Sequence, residues 1–221
     1  KPGNHISLLF HKHHKFYSSI SGEIKKIVST GYKQSRYLVQ LDSLSGEKIT
    51  GRIYLQAEPG LMPGSKIKTD ALLERLEGAR NPGQKDRNFS FKINQIDGYA
   101  KSRSKVIIDP DHKPHLFQNI TNWIAIRLQN RLPETGKLAL AITTGRTGEI
   151  GWQYKSDVRK AGLSHLFAVS GLHVGMIALI FYSLLMLIMP GRKTRIFLMI
   201  ILILYGFLCN WTASVTRAVL M

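Results

Sequence analysis

Apolar and polar positions alternate in short runs over residues 20–108. In EKITGRIYL, Ile49, Gly51, Ile53 and Leu55 fall on one side, with Lys48, Thr50, Arg52 and Tyr54 on the other. A period of two marks a strand with one core face and one wet face. ISGEIKKIVS, RYLVQLD, SKIKTDALLERL and GYAKSRSKVII read as further strands, separated by the Gly31 turn, the SLSG loop, the Pro59–Gly64 break and the NPGQKD run. Short strands at this spacing predict a small closed or half-closed β-barrel, with the OB-fold as the obvious candidate.

The pattern then changes period. LFQNITNWIAIRLQNRLP sets Phe117, Ile120, Ile124 and Leu128 at helical spacing, with Arg127 and Arg131 elsewhere and Pro133 as a stop. That predicts an amphipathic helix suited to an interface, with Trp123 at headgroup level. KLALAITTGRTGEI adds a short apolar helix and a Gly-rich turn. The glycines at 145 and 148 lack the order of a phosphate loop. Leu166 to Pro190 has no Asp, Glu, Lys or Arg, and it exceeds the ~20 residues that cross a bilayer. Ile196 to Cys209 reads as a second membrane helix, reaching spanning length with Asn210 to Ser214. The expected architecture is α+β, with a small OB-like β-barrel, amphipathic linker helices and an incomplete transmembrane helical bundle. Its parts are a basic lead-in over 1–17, the barrel over 18–110, an interfacial helical linker over 111–160 and the membrane helices over 161–221.

Charge narrows the partners. Lys and Arg number 31 against 14 Asp and Glu, a formal charge of +17, while 44% of residues are hydrophobic. So many apolar residues exclude a disordered basic tail. One cysteine, Cys209, excludes an internal disulfide framework and a Cys-rich metal site. The link Gly191–Arg195 carries Arg192, Lys193 and Arg195, which by the positive-inside rule places loop 191–195 in the cytoplasm and the N-terminal domain on the far side. No signal peptide is visible, and both ends look cut, as in a fragment of a longer polytopic protein.

Candidate chemistry lies in two places. On the wet faces of the predicted barrel stand Lys48, Arg52, Tyr54, Lys66 and Lys68. Cations with an aromatic platform suit single-stranded nucleic acid, and the same residues suit the solvated side of an ordinary barrel. HKHH, residues 11–14, fits a basic lead-in better than a metal site, so no metal or cofactor is expected. In the membrane segment, Ser164, His165, Ser170 and His173 are interleaved with Gly171 and Gly175. Polar groups at that depth face protein or a water-filled path, and glycines four apart let a helix backbone or a chain-like substrate approach closely.

This segment, GLSHLFAVSGLHVG over Gly162–Gly175, resembles the ComEC-type competence proteins, polytopic membrane proteins associated with DNA uptake in natural transformation. TGRTGEI and Arg159 upstream support the likeness. SVTRAVLM, Ser214–Met221, resembles the serine and arginine motif that opens the family's next helical segment, and NPGQKD is a looser match. Residues 161–221 then correspond to the start of the competence membrane domain. No metallo-β-lactamase-like domain and no HxHxDH motif is present, so no nuclease is expected in this chain.

The resemblance implies a membrane channel component for single-stranded DNA rather than an enzyme. Its expected partners are single-stranded DNA, the lipid bilayer and other DNA-uptake proteins, and its expected place is the cell membrane, multi-pass (the inner one where a cell has two). Ser164, His165, Ser170, Gly171, His173, Gly175, Ser214 and Arg217 would line the channel or pack helices. An intramembrane hydrolase is the alternative, with Ser170 as nucleophile and His173 or His165 as base. It has no orienting carboxylate nearby, since Asp157 is the last acid in the chain. A third possibility is an OB-domain scaffold that binds nucleic acid without transport.

Overall fold

The computed structural model describes residues 4–76, 91, 93–133, 135–163, 171–189 and 191–221. It is a mixed α+β structure, and the chain divides into two compact units, Lys1–His115 and Leu116–Met221.

The first unit is one six-stranded sheet with a short helix, α1 (Ile6–Lys12). The strands are β1 (Lys15–Ser29), β2 (Ser35–Leu44), β3 (Glu47–Ala57), β4 (Lys66–Arg75), β5 (Gly98–Ser102) and β6 (Ile107–Ile108). Five of them form a ring of hydrogen-bonded neighbours, because β1 pairs with both β2 and β4 while β5 bridges β3 and β4. Only β3 and β5 run parallel. β1 achieves the double pairing by length, facing β4 over Lys15–Glu23 and β2 over Ile20–Ser29. Register shifts mark its bend, one of them between Ser21 and Gly22. A side chain at Gly22 would run into the Gln40 carbonyl, so glycine lets the strand turn the corner.

The alternation expected of β3 is present. Ile49, Ile53 and Leu55 enter a core with Ile20, Ile24, Tyr37, Val39, Leu41, Ile67 and Leu73, while Lys48 and Thr50 stay in solvent. The N-terminal segment is more than a lead-in, since Ile6 and Phe10 of α1 are buried in the same core. Burial outweighs the opposing hydrogen bonds and raises the Tyr37 phenol above its ordinary range. That hydroxyl donates to the Glu58 carbonyl at 2.9 Å, tying the 58–61 loop to β2.

The last expected strand breaks in two. The Thr69, Ser102 and Ser104 hydroxyls cluster, with Thr69 Oγ1 2.9 Å from Ser102 Oγ and Ser104 Oγ accepting from the Asp70 N–H at 2.9 Å. Side chains thereby replace ladder bonds between β5 and β6. Gly98 opens β5 against the Phe10 ring, and a side chain there would overlap that ring and crowd the Glu74 carbonyl. Gly98→Val should therefore destabilise this unit by about 1–3 kcal/mol, seen as a lower urea midpoint in the β-sheet circular dichroism of the full chain.

The second unit is helical: α2 (Leu116–Arg131), α3 (Gly136–Thr144), a 3-10 turn (Thr147–Glu149), α4 (Trp152–Lys160), α5 (Gly171–Ile188), α6 (Arg192–Leu208) and α7 (Ala213–Leu220). Among the described residues only α5 is long and apolar enough to cross a membrane. The second membrane helix departs from expectation at both ends. Arg192, Lys193 and Arg195 sit inside the first turn of α6 rather than in a loop. At the other end α6 stops at Leu208, because Asn210 and Trp211 take positive φ values of 52° and 46° and the Trp211 N–H returns to the Gly206 carbonyl at 2.9 Å. Asn210–Ser214 therefore does not extend the helix. The Trp211 ring lies on Gly206, and α7 begins after Thr212.

α2 seats most of the face its apolar spacing predicts, with Phe117, Ile124 and Leu128 half-buried beside Thr121 and Ala125. Thr121 and Ala125 are its buried residues, and Ile120 is 38% exposed. Close packing of α2 on α3 selects small side chains, and hydrogen bonding does the rest.

Candidate functional site

On the outside of the closed sheet, β3 and β5 bring aromatic residues together. Tyr54 lies beside Tyr99, its register partner, with ring centroids 5.6 Å apart. Phe91 sets its edge on both, at 6.0 Å from Tyr54 and 5.7 Å from Tyr99. The Arg36 guanidinium lies over the Tyr99 ring at 5.7 Å, a cation–π contact that fixes a charge beside the platform. Arg52 stands two residues before Tyr54, its Nε donating to Gln40 Oε1 at 3.2 Å, while its backbone is locked to Asp97 through Arg52 N–H to Oδ2 at 3.1 Å. Lys101 follows Tyr99 by two on β5 and is exposed.

The platform continues into the β1–β2 loop. Tyr32 is 99% exposed at its tip, next to Lys33, and Gln34 ties the loop base to β3, accepting from Gln56 Nε2 at 2.5 Å. Partial burial, then the neighbouring Tyr99, raise the Tyr54 phenol against the opposing pull of Arg36. Tyr54 is accordingly neutral at physiological pH and adds no negative charge beside the arginines.

The residues anticipated from sequence divide. Arg52 and Tyr54 belong to this cluster. Lys48 stands at the far end of β3, ~20 Å from Tyr54 by strand rise. Lys66 is ion-paired with Asp42 at 3.3 Å, and Lys68 faces the Ile107 register position of β6. Sequence reasoning missed Tyr32, Arg36, Phe91, Tyr99 and Lys101.

In the helical unit, Ser164, His165 and Ser170 lie outside the described residues. Gly171 opens α5 facing Ala218 of α7, where a Cβ would rest at an ordinary 3.7 Å. His173 is half-buried, Val174 packs with Cys209 and Val215, and Gly175 meets open space. Ser214 is half-buried beside Val215 on α7. Arg217 is exposed and folds back along its own helix, Nε donating to the Ala213 carbonyl at 3.4 Å.

Two further groups escaped the sequence pattern. Arg146 and Glu149 form an ion pair at 2.6 Å, with side chains 16% and 8% exposed. α2 completes it, Arg146 Nη1 donating to Asn122 Oδ1 at 2.9 Å and Gln129 Nε2 donating to Glu149 Oε2 at 2.8 Å. The end of α3 is held by α6, whose Tyr205 hydroxyl donates to the Thr143 carbonyl at 2.7 Å, with the Cys209 thiol on the same oxygen at 3.5 Å. Phe117 of α2 stacks on Phe207 of α6 at 4.6 Å. α2 and α3 thus belong to the same folded body as the hairpin α5–α6–α7.

Residues 142–221 match the family model described as competence protein. Over 163 residues the chain is 29% identical to ComE operon protein 3 of Bacillus subtilis (strain 168), an alignment covering 72% of this chain and 21% of that protein. The chain therefore spans about a fifth of its relative's length. No solved structure matches it.

Proposed function

We propose that this chain is part of a membrane protein that takes up DNA in natural transformation, receiving single-stranded DNA on its β unit and passing it along helices α5 and α7. The observation that carries the proposal is the Tyr54–Phe91–Tyr99 cluster flanked by Arg36, Arg52 and Lys101. Stacking faces beside cations suit unpaired bases joined by phosphates. The ring closure β1–β2–β3–β5–β4 supports treating the β unit as an OB-like barrel, whose β2–β3 face is where such barrels take oligonucleotides. The competence relationship supplies the biological setting.

In the membrane, α5 supplies one span and α6 a second, shorter one, with Arg192, Lys193 and Arg195 on the cytoplasmic side. Three cations in the first turn of α6 oppose the helix dipole, so an attraction outside the helix, to anionic headgroups, offsets that cost. Strand passage then runs past Gly171, His173 and Gly175 of α5 and Ser214 and Arg217 of α7, and the sequence adds Ser164, His165 and Ser170 as candidates outside the described residues. Arg217 supplies the positive charge a phosphate needs when it leaves water.

In a transformable cell producing the protein with Arg217→Ala, DNA uptake should fall about tenfold, the worth of one charge-assisted contact. Gly171→Leu should lower it further by pushing α7 from α5. Normal uptake in both variants at unchanged protein levels would overturn this path.

A further inference from the structure

α2 carries a second, exposed apolar face. Its inward face carries Phe117, Thr121, Ile124, Ala125 and Leu128, with Asn122 and Gln129 at its border bound to the Arg146–Glu149 pair. Its outward face carries Leu116 (70% exposed), Ile120, Trp123 (58%) and Ile126, together with Arg127 and Arg131. In water this arrangement is unfavourable, because Leu116, Ile120, Trp123 and Ile126 stay exposed although Phe117, Ile124 and Leu128 already supply the inner apolar face. The outward face also lacks acids, since no Asp or Glu occurs between Leu116 and Arg131. The Arg127 guanidinium lies over the Trp123 ring at 5.1 Å, so the cation sits where the indole's polar edge would meet headgroups.

We infer that the outward face of α2 lies in the interfacial layer of the bilayer, where Arg127 and Arg131 grip the phosphates of anionic phospholipids. The inference rests on the membrane reading of α5 and adds the lipid class and the residues that select it. Continuity with the hairpin supports the occupant: Phe117 stacks on Phe207 and Phe207 meets Trp211 edge-on at 5.5 Å, at the end of α6 away from Arg192. α6 has 17 residues, ~25 Å of rise, so this aromatic end and the cationic end stand about one hydrocarbon thickness apart. Tryptophan favours that level, and arginine there reaches phosphate while its stem and neighbours stay in the acyl boundary. A second protein helix would have to bring acids to both arginines.

All three tryptophans of the chain, Trp123, Trp152 and Trp211, lie in the helical unit, so its fluorescence reports this region alone. The full chain carrying Trp152→Phe and Trp211→Phe is reconstituted into phosphatidylcholine vesicles with and without phosphatidylglycerol. Trp123 should be quenched more by lipids spin-labelled near the headgroup than by lipids labelled deep in the chain, and little by aqueous iodide. In the native tryptophan background, energy transfer to dansyl-phosphatidylglycerol should exceed that to dansyl-phosphatidylcholine. Arg127→Gln and Arg131→Gln should each lower that preference about fivefold. Quenching of Trp123 by iodide, or by neither probe, would overturn the inference, as would an unchanged lipid preference in both arginine variants. Failure of the chain to enter vesicles at all would instead overturn the membrane reading of α5, and DNA uptake plays no part in any of these signals.

Discussion

Arg146→Met should cost the helical unit about 3–5 kcal/mol, enough to lower its thermal midpoint in detergent by upwards of about 12 °C. The side chain looks dispensable in sequence, an arginine in a glycine-rich turn, but the fold makes it the partner of a buried acid. Removing it strands Glu149, which is 7% exposed and keeps only the Gln129 amide at 2.8 Å. A carboxylate out of water without its counter-charge is far costlier than a lost surface pair. It also frees Asn122, loosening α2 from the turn. The double variant Arg146→Met, Glu149→Leu removes both charges together and should cost less than Arg146→Met alone. Following the helical circular dichroism of the full chain on heating checks both. A double variant as unstable as the sum of the two single ones would mean that the groups do not act as a pair.

That pair shows why part of the helical unit could not be read from the chain. Apolar spacing in 117–128 announced a helix correctly, and its length was legible from Pro133. The seated face was legible in Phe117, Ile124 and Leu128, which are half-buried, whereas the deepest contacts, through Thr121 and Ala125 and through amides whose partners lie 20 and 24 residues away, were not. Periodicity reports where the apolar residues are, and it equates them with the inside. It does not say which apolar residues stay outside, as Leu116, Ile120, Trp123 and Ile126 do. The same limit applies to α6, where a run of apolar residues suggested a span through Ser214. Local backbone decided otherwise, with two consecutive positive φ values at Asn210 and Trp211 and an indole folded onto Gly206.

The β unit was more legible. Period-two alternation depends on the strand itself, so Ile49, Ile53 and Leu55 were placed correctly without knowing any neighbour. What alternation does not contain is the pairing of β3 with β5, two strands separated in sequence by β4. That parallel pairing sets Tyr99 beside Tyr54, and Phe91 joins from a segment with no strand pattern. Tyr54 was therefore visible as one aromatic among cations, whereas the platform was not. Long-range pairing likewise sets Lys66 and Lys68 away from it, and position along β3 sets Lys48 away, although all five residues share the same local signature.

Tyr54→Ala and Tyr99→Ala should each weaken binding of single-stranded DNA by about 1–3 kcal/mol, the usual worth of one stacked base. Expressed as affinity, that is roughly five- to 150-fold per substitution. The two rings touch, at 5.6 Å between centroids, so the double variant should lose less than the sum of the single losses. Tyr54→Phe should bind almost as the parent does, because the burial that raises the phenol leaves it neutral and stacking uses the ring. Arg36→Gln removes a phosphate contact and the cation over Tyr99, so it should also flatten the dependence of affinity on salt by about one counterion. Lys48→Ala, ~20 Å along the strand, should change the affinity for a short oligonucleotide by less than either tyrosine substitution. Titration of the full chain with fluorescent single strands and duplexes at several salt concentrations measures all of these. A loss on Lys48→Ala equal to that on Tyr99→Ala would place binding on general basic charge. An equal loss for duplex and single strand would exclude stacking, since paired bases present no free face to a tyrosine ring.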